Sequence, residues 1–579
     1  MFQILAGFLA FVVVLGGCGL PLTSSLRLAA EERVTLGAVA GCLVAYFAAW
    51  IVYWCGLPAG VFWVLPAAAA VAAVTRRRAV GAILGDPRAR QILILWFIFA
   101  GWCLGLLALI RTYSGGEWVG DWFEHYQRTL FFLERQPLDT VFLHVYALPA
   151  RPPLANLIGS ALLGLTGTSF AQYQVFSTLL ASLVLFPAAL FAQRCFRGGN
   201  PASALLVLMM MNPLVVQNAT FAWTKLPAAF FLLCGMYFFR HPSASGGIRG
   251  MASVACLSAA VLTHYSAAPY VLLVAAAWMI QSRPHWGGAG FRPQVLGAAV
   301  IGLVLGAAWF GWSIRHYGVG PTFLSNSTVT GSSGLTLAQQ AAQRAGNLFN
   351  TLIPHPLRRA EYAGIAQASR VSWWRDWFFN LYQTNLPLAF GTGGLVALGV
   401  LAWRRRHRRL DFWCWFIPAS VLLSLAVTSW PDRWGATHVG LQPLVVLGLA
   451  WLAGNLPELS RPWRALLVAG MAADCALGII WHFILQHWDF PADLFANHGG
   501  IALLRLHGYA TWNNALSKSV LRLTLVGDLG IPVLPLGLLL AVLFIVAVRR
   551  AMGAAAGLPP ASAGGTHRGS TLPQPPGIR

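Results

Sequence analysis

Long runs of apolar residues, separated by short polar or basic links, alternate along almost the whole chain of 579 residues. Many of these runs are about 17 to 25 residues long, the length that a helix needs to cross the hydrocarbon core of a bilayer. A membrane β-barrel would instead need short segments in which apolar and polar residues alternate, and the sequence lacks that pattern. The pattern therefore predicts an all-α polytopic integral membrane protein.

The apolar runs predict about 13 to 15 transmembrane helices, because one run is short and two neighbouring runs are tightly joined. The candidate spans are 1–20, 34–54, 58–74, 91–110, 172–193, 201–217, 226–239, 251–265, 267–281, 294–312, 386–403, 411–429, 437–454, 464–484 and 530–548.

The placement of arginine predicts the orientation of the spans. Arg76, Arg77 and Arg78, the cluster between Arg404 and Arg409, and Arg249 lie in short links between spans, which the positive-inside rule assigns to the cytoplasm. Three long loops, predicted to contain helices, then lie outside, at 111–171, 313–385 and 485–529. The apolar segment 151–167 must not cross if this alternation is to hold, so we expect it to stay at the interface or to dip in and return.

Composition and charge narrow the class further. The chain is 57% hydrophobic and only 10% charged, which excludes an ordinary soluble enzyme. The net charge of +22 comes from basic residues in the links between spans, so we expect no nucleic-acid partner. Only Lys225 and Lys518 are lysines among the 39 basic residues. None of the nine cysteines forms a CxxC pair, which argues against a disulfide framework or a zinc site.

Carboxylates are concentrated in one stretch after the span that ends near Ile110. The chain has 17 acidic residues, and Glu117, Asp121, Glu124 and Glu134 all lie between 115 and 136. A helix over 118–133 places Asp121, Glu124 and Arg128 on one face, with His125 beside it. A partly desolvated carboxylate there would suit a general base. The alternative is a solvated amphipathic helix with an internal ion pair between Glu124 and Arg128.

This acidic loop, followed by "ARPPLANLIGSALLGLTG" and "FSTLLASLVLFPAALFAQRCF", resembles the GT-C superfamily of membrane glycosyltransferases. It is most similar to the branch of protein mannosyltransferases and aminoarabinose transferases. The segment "MMMNPLVVQNATFAWTKLPAAFFLLCGMYFF" resembles the next outer loop and helix of that module. The resemblance covers residues 90–285 and has two departures: three spans precede it, and the carboxylates read E-x3-D-x2-E. The base is therefore open among Glu117, Asp121 and Glu124, and the "GDWFEHY" context favours Asp121.

The resemblance implies transfer of a sugar from a polyprenyl-phosphate-linked donor to a lipid, glycan or protein acceptor. It also implies an active site facing the periplasm, or outside, of a bacterial inner membrane, among membrane lipids. The leaving phosphate needs cations, and the turn "THYSAAPY" after a span could line the same cavity. The candidate substrate-binding residues are Arg151, Lys225, His264, Tyr265, His125, Arg358, Arg359, Arg375 and Arg433. The expected cofactor is either none or a divalent cation, with no metal ligands identified.

The predicted spans and loops divide the chain into four regions. The regions are an N-terminal set of extra spans at 1–90, a GT-C-like core module at 91–285, a C-terminal membrane region at 286–556 and a disordered tail at 557–579.

Two alternative functions are also compatible with the sequence. An O-antigen polymerase or ligase would use residues of the 313–385 loop, namely Arg344, His355, Arg358 and Arg359. A flippase or transporter would need charged or broken helices at the midplane, where Asp474 is a candidate.

Overall fold

The computed structural model describes residues 2–110, 121–142, 146–194, 201–240, 246–282, 291–326, 334–358, 370–404, 412–428, 440–484 and 542. These residues form helices and connecting loops, and their β-structure is an isolated antiparallel bridge between Phe142 and Tyr146. Six of the helices are long and apolar enough to cross a membrane, or up to eight spans exist if each of two bent pairs counts as one. The prediction of an all-α polytopic membrane protein is confirmed.

In chain order the described helices are α1 (Leu5–Thr23), α2 (Ala30–Trp54), α3 (Ala59–Thr75), α4 (Arg77–Gly85), α5 (Pro87–Leu107), α6 (Asp121–Glu134), α7 (Leu154–Thr166), α8 (Phe170–Gln193), α9 (Pro201–Met211), α10 (Pro213–Thr220), α11 (Lys225–Arg240), α12 (Gly246–Thr263), α13 (Ala268–Ser282), α14 (Pro293–Tyr317), α15 (Val319–Leu324), α16 (Leu337–Leu352), α17 (Arg370–Gln383), α18 (Leu386–Ala389), α19 (Thr392–Arg404), α20 (Phe412–Val427), α21 (Leu441–Asn455) and α22 (Arg461–Ile484).

The six long helices, α1, α2, α5, α8, α14 and α22, coincide with predicted spans. The predicted span at 201–217 is broken, because α9 and α10 meet at a bend of 72°. Pro213 has no N–H to continue the ladder, and it keeps Asn212 extended, with φ −82° and ψ 117°. The predicted span at 530–548 lies outside the described residues apart from Val542, and the total of about 13 to 15 spans stays a prediction.

The core of the bundle surrounds α8, which is 94% buried over its most apolar window, whereas α14 is only 17% buried and lies at the periphery. Helix α21 is buried along almost its entire length and packs against α9 and α11. A helix that is apolar all round needs neighbours on every side or lipid on the open sides. The contrast therefore separates central helices from those that face the surroundings of the bundle.

Small residues let α1 and α2 approach closely. A Cβ atom added to Gly19 would lie 1.8 Å from the carbonyl oxygen of Gly37, and one added to Gly41 would lie 2.0 Å from that of Leu15. Such contacts are possible only without a side chain, which is the usual way that membrane helices pack backbone to backbone. The N-terminal helices are thus a tightly packed pair, and α2 also packs against α7.

A buried ion pair ties α2 to the central helices. The carboxylate of Glu32 accepts hydrogen bonds from Arg249 at 2.8 and 3.0 Å and from the hydroxyl of Tyr237 at 2.9 Å. Arg249 counted among the loop arginines in the sequence-based orientation, yet its side chain is buried. Its charge is therefore neutralised inside the protein, and it contributes less to the orientation than the exposed Arg76, Arg77 and Arg78.

A network of side-chain amides joins α10, α17 and α21. Asn218 donates to Gln383 at 2.7 Å and accepts from Gln442 at 3.1 Å, while Gln383 donates to Gln217 at 2.8 Å. All four side chains are buried. Because each amide left unpaired in an apolar interior is costly, the network fixes the relative register of the three helices.

Two short helices carry the region of the predicted first outer loop. Helix α6 begins at Asp121, inside the helical stretch predicted for 118–133. Helix α7 has 13 residues, which gives it a length of about 20 Å. It is thus shorter than the hydrocarbon core of roughly 30 Å. The apolar segment 151–167 therefore contains a short helix, and its path relative to the membrane stays a prediction.

Candidate active site

The first turns of α6 contain a buried ion pair. Glu124 and Arg128 lie one turn apart, and a guanidinium nitrogen of Arg128 lies 2.7 Å from the Glu124 carboxylate, with both side chains fully buried. Arg128 also donates to the carbonyl oxygens of Leu148 at 2.7 Å and Ala147 at 3.1 Å. The predicted pair thus exists, but it is enclosed rather than solvated, and it fixes the loop that leads to Arg151.

Arg151 connects two of the three carboxylates of α6. Its Nε lies 3.6 Å from Glu124 Oε2, and one of its terminal nitrogens lies 3.7 Å from Asp121 Oδ1. The side chains of Arg151 and Asp121 are 20% and 22% exposed, whereas that of Glu124 is fully buried. Of these two carboxylates, Asp121 is therefore the one that is accessible to solvent.

Trp223 contacts both Asp121 and a second cation, Lys225. The indole Nε1 of Trp223 donates to Asp121 Oδ2 at 3.3 Å, although 102 residues separate the two. The ammonium of Lys225 lies over the same indole ring, 3.8 Å from its centroid. Asp121, Arg151, Trp223 and Lys225 therefore form one cluster, which we call the Asp121 cluster.

The turn between α12 and α13 approaches this region from another side. The hydroxyl of Tyr265 donates to the carbonyl oxygen of Pro149 at 3.3 Å and accepts from Trp309 Nε1 at 3.0 Å. The Nδ1 of His264 accepts from the backbone N–H of Ser266 at 3.2 Å, within its own turn. Tyr265 thus supports the loop before Arg151, and His264 caps the start of α13.

Burial and charge set the protonation states around α6. Burial alone would raise the pKa of the Glu124 carboxyl, but Arg128, Arg151 and His125 outweigh it and hold that pKa below its ordinary value. Burial lowers the pKa of His125 to about 3, opposed by Glu124 and reinforced by the two arginines. Burial would also lower the pKa of Arg151, yet Glu124 and Asp121 raise it. His125 is thus neutral and Arg151 charged at neutral pH.

The remaining predicted site residues lie elsewhere or outside the description. Arg358, in the segment after α16, donates to the side chain of Asn350 within α16. The backbone of Arg375 lies in α17, but its side chain is outside what the structure describes. Glu117, Arg359 and Arg433 fall outside the described residues, as do the 485–529 loop and the 557–579 tail.

One further acid, Asp474, and one further histidine, His482, lie in described helices. Asp474 accepts from the Tyr382 hydroxyl at 2.7 Å and from the backbone and hydroxyl of Thr392 at 2.6 and 2.9 Å, so it caps α19. His482 is buried and stacks on Phe379. Among the described residues no group of three His, Cys, Asp or Glu side chains could hold a metal ion.

Trp223 and Arg128 were missed as site residues in the sequence. Tryptophan in a membrane protein is most often an interfacial anchor. The residue type therefore gave no reason to expect a hydrogen bond from Trp223 to Asp121. The available signal was its position two residues before Lys225, a rare lysine in this chain. Arg128 was recognised only as an ion-pair partner, because the carbonyl groups that it binds lie 19 and 20 residues further along.

The fold and site define a polytopic helical membrane protein with a partly exposed carboxylate that contacts Arg151 directly and is linked to Lys225 through Trp223. Two solved structures are similar, both of ArnT from Cupriavidus metallidurans: one bound to undecaprenyl phosphate (16% identity, 81% of this chain, 76% of that chain, TM-score 0.45) and one in the apo state (18%, 80%, 74%, 0.42). No family model and no curated protein matches the chain.

Proposed function

We propose that the protein is a glycosyltransferase that moves a sugar from a polyprenyl-phosphate-linked donor to an acceptor on the outer face of the membrane. The observation that carries the proposal is the Asp121 cluster, in which one accessible carboxylate lies between Arg151 and the indole that seats Lys225. A reaction of this kind needs a proton acceptor and cations for a departing phosphate in the same place. The cluster supplies both.

Asp121 is the proposed general base. The acceptor hydroxyl oxygen attacks the anomeric carbon of the sugar, its proton passes to Asp121, and the bond to the phosphate oxygen breaks with its electron pair on the phosphate. Glu124 is a poor alternative because it is fully buried and bound by Arg128. It is instead a structural residue in this proposal, and Glu117 lies outside the described residues.

Arg151 and Lys225 are the proposed phosphate ligands. Negative charge grows on the phosphate oxygens as the sugar leaves, and fixed cations stabilise that charge most when they are already in place. Arg151 is held by two carboxylates and remains partly exposed, so its guanidinium can also bind an anion. Tyr265 and His125 hold the surrounding loop and helix in this scheme.

The assay is turnover of radiolabelled polyprenyl-phosphate sugars, with hexose, pentose and amino-sugar donors, in membranes that contain the protein. We expect one donor to lose its label to an acceptor, and Asp121→Asn to lower the rate by about 10² or more. Glu134→Gln is the matched control because Glu134 is an exposed carboxylate at the other end of α6. Absence of turnover with every donor, or full activity of Asp121→Asn, would contradict the proposal.

A further inference from the structure

We propose that Trp223 is a positioning residue that sets the proton acceptor and a phosphate cation in fixed relation through a single indole. The inference rests on the proposed function and adds a residue to it. Trp223 lies between Asp121, which receives its N–H, and Lys225, which lies over its ring. It touches the proposed reacting groups rather than the reacting atoms.

The two contacts use two different parts of the indole. Its Nε1–H is a donor only, and it binds Asp121 Oδ2 at 3.3 Å. Its ring face carries the negative end of the quadrupole, and the Lys225 ammonium lies 3.8 Å from the ring centroid. An anion at the edge and a cation on the face are therefore both satisfied by one side chain.

The indole therefore joins the carboxylate and the ammonium through two contacts, one at its edge and one on its face. Each contact restricts where its partner can lie, so the two groups keep a fixed position relative to each other. This is the positioning role that we assign to Trp223.

The backbone and the neighbours of Trp223 fix its direction. Ala222, just before it, has φ +60°, a left-handed conformation that non-glycine residues rarely adopt. The ring of Phe221 lies 4.2 Å and that of Phe379 5.8 Å from the ring of Trp223, and the indole is only 2% exposed. The strained backbone conformation of Ala222 therefore lies in the turn between α10 and α11, directly before the indole that binds Asp121.

The contact with Phe379 also brings in the end of the predicted 313–385 loop, since Phe379 belongs to α17. The same helix reaches α10 through Gln383 and Asn218. Trp223 is therefore held by elements from two predicted outer loops and by the turn before α11. A residue held from several sides is suited to fixing the geometry of its partners.

The test measures kcat and the donor KM for purified Trp223→Phe and Trp223→Leu in vesicles. Trp223→Phe keeps an aromatic face under Lys225 and removes the N–H, so kcat should fall about tenfold with the donor KM unchanged. Trp223→Leu removes both contacts, so the donor KM should also rise, by about three- to tenfold. If Trp223→Phe does not fold, Trp223→Tyr replaces it, and we expect it to have a lower kcat and an unchanged donor KM.

Trp102→Phe is the matched control. Trp102 is also buried, and its Nε1 donates to the Met210 carbonyl at 3.2 Å, a partner that is not a member of the Asp121 cluster. It should keep both parameters within about twofold, and thermal midpoints should be recorded for every variant. A smaller folded fraction lowers the apparent kcat and leaves KM unchanged, so kcat is expressed per folded protein for every variant. A tenfold fall of that corrected kcat in Trp223→Phe, with a rise of the donor KM in Trp223→Leu alone, supports the inference.

Failure of this inference and failure of the proposed function would give different results. If wild-type protein turns over a donor and Trp223→Phe behaves like Trp102→Phe, or loses activity only in proportion to its folded fraction, the inference fails and the proposed function stands. If wild-type protein turns over no donor and does not bind undecaprenyl phosphate, the proposed function fails and the inference is overturned with it.

Discussion

Arg128 lies 2.7 Å from Glu124, one helical turn earlier, and neither side chain has any exposed surface. A charged pair enclosed in this way is costly to break, because the remaining partner is left charged and without compensation. The pair therefore distinguishes Glu124 from Asp121 within α6. Glu124 is enclosed with Arg128, and Asp121 is the partly exposed carboxylate to which we assign the chemistry.

The first prediction contrasts these two carboxylates. Glu124→Gln should destabilise the protein by about 3 to 5 kcal/mol, because Arg128 stays buried without its counter-charge. Asp121→Asn should leave stability nearly unchanged, since Asp121 is partly exposed. Thermal midpoints of the detergent-solubilised proteins measure the difference. Equal stability of Glu124→Gln and wild type would contradict the structural role of Glu124.

The second prediction concerns the phosphate cation. Lys225→Met keeps the alkyl stem and removes the ammonium, so the donor KM should rise and turnover should fall by about 10- to 100-fold. Lys225→Arg should rescue only in part, because the guanidinium is larger and differently shaped. Arg358→Met is the control. Full turnover in Lys225→Met with loss in Arg358→Met would favour a polymerase or ligase that uses the 313–385 loop.

The third prediction uses the pKa of His125, which burial lowers to about 3. An unfolded histidine has a pKa of about 6.5, so the unfolded state binds a proton first as the pH falls. Stability from the neutral imidazole is therefore complete above about pH 6.5 and is lost progressively toward pH 3. His125→Gln should show a shallower fall of the thermal midpoint between pH 6.5 and 4.5.

The experiment compares the slope of thermal midpoint against pH between wild type and His125→Gln, because other groups also lower the stability as the pH falls. Burial also lowers the pKa of His355 to about 3, and Glu124 has a lowered pKa whose contribution is lost at still lower pH. These contributions remain in His125→Gln. An unchanged slope between pH 6.5 and 4.5 would show that His125 does not titrate as stated.

The fourth prediction concerns orientation. On a background without the nine native cysteines, Glu134→Cys should react with a membrane-impermeant maleimide added outside, and Arg77→Cys should not. Both positions are exposed, so a lack of labelling reports sidedness rather than burial. Labelling of position 77 alone from outside would reverse the predicted topology and place the Asp121 cluster on the inner face.

Local periodicity was enough to predict part of the site. The spacing of Asp121, Glu124 and Arg128 predicted a shared helical face, and the structure confirms the Glu124–Arg128 pair. It could not predict the burial of that pair, which depends on the carbonyl groups of Ala147 and Leu148. Trp223 could not be placed either, because its contact with Asp121 spans 102 residues and leaves no periodic signal.

Hydropathy was similarly informative about the fold up to a limit. Apolar length identified the six long helices, since a bilayer selects for length and composition. It did not identify the bend at Asn212, although Pro213 was visible, because proline is tolerated within many membrane helices. Whether a proline kinks a span or ends it depends on the neighbours that receive the freed backbone groups. Here the side chain of Asn212 accepts from Val215 N–H.

The amide network imposes an order on biosynthesis. Asn218 is made 165 residues before Gln383 and 224 residues before Gln442, the two partners of its side chain. At about 5 to 20 residues per second, its amide waits roughly 8 to 33 s for Gln383 and 11 to 45 s for Gln442. During that interval α10 carries polar groups without their final partners, so the nascent chain needs water, the insertion machinery or a chaperone beside it. Truncated chains that end before Gln442 should therefore be preferred targets of membrane quality control.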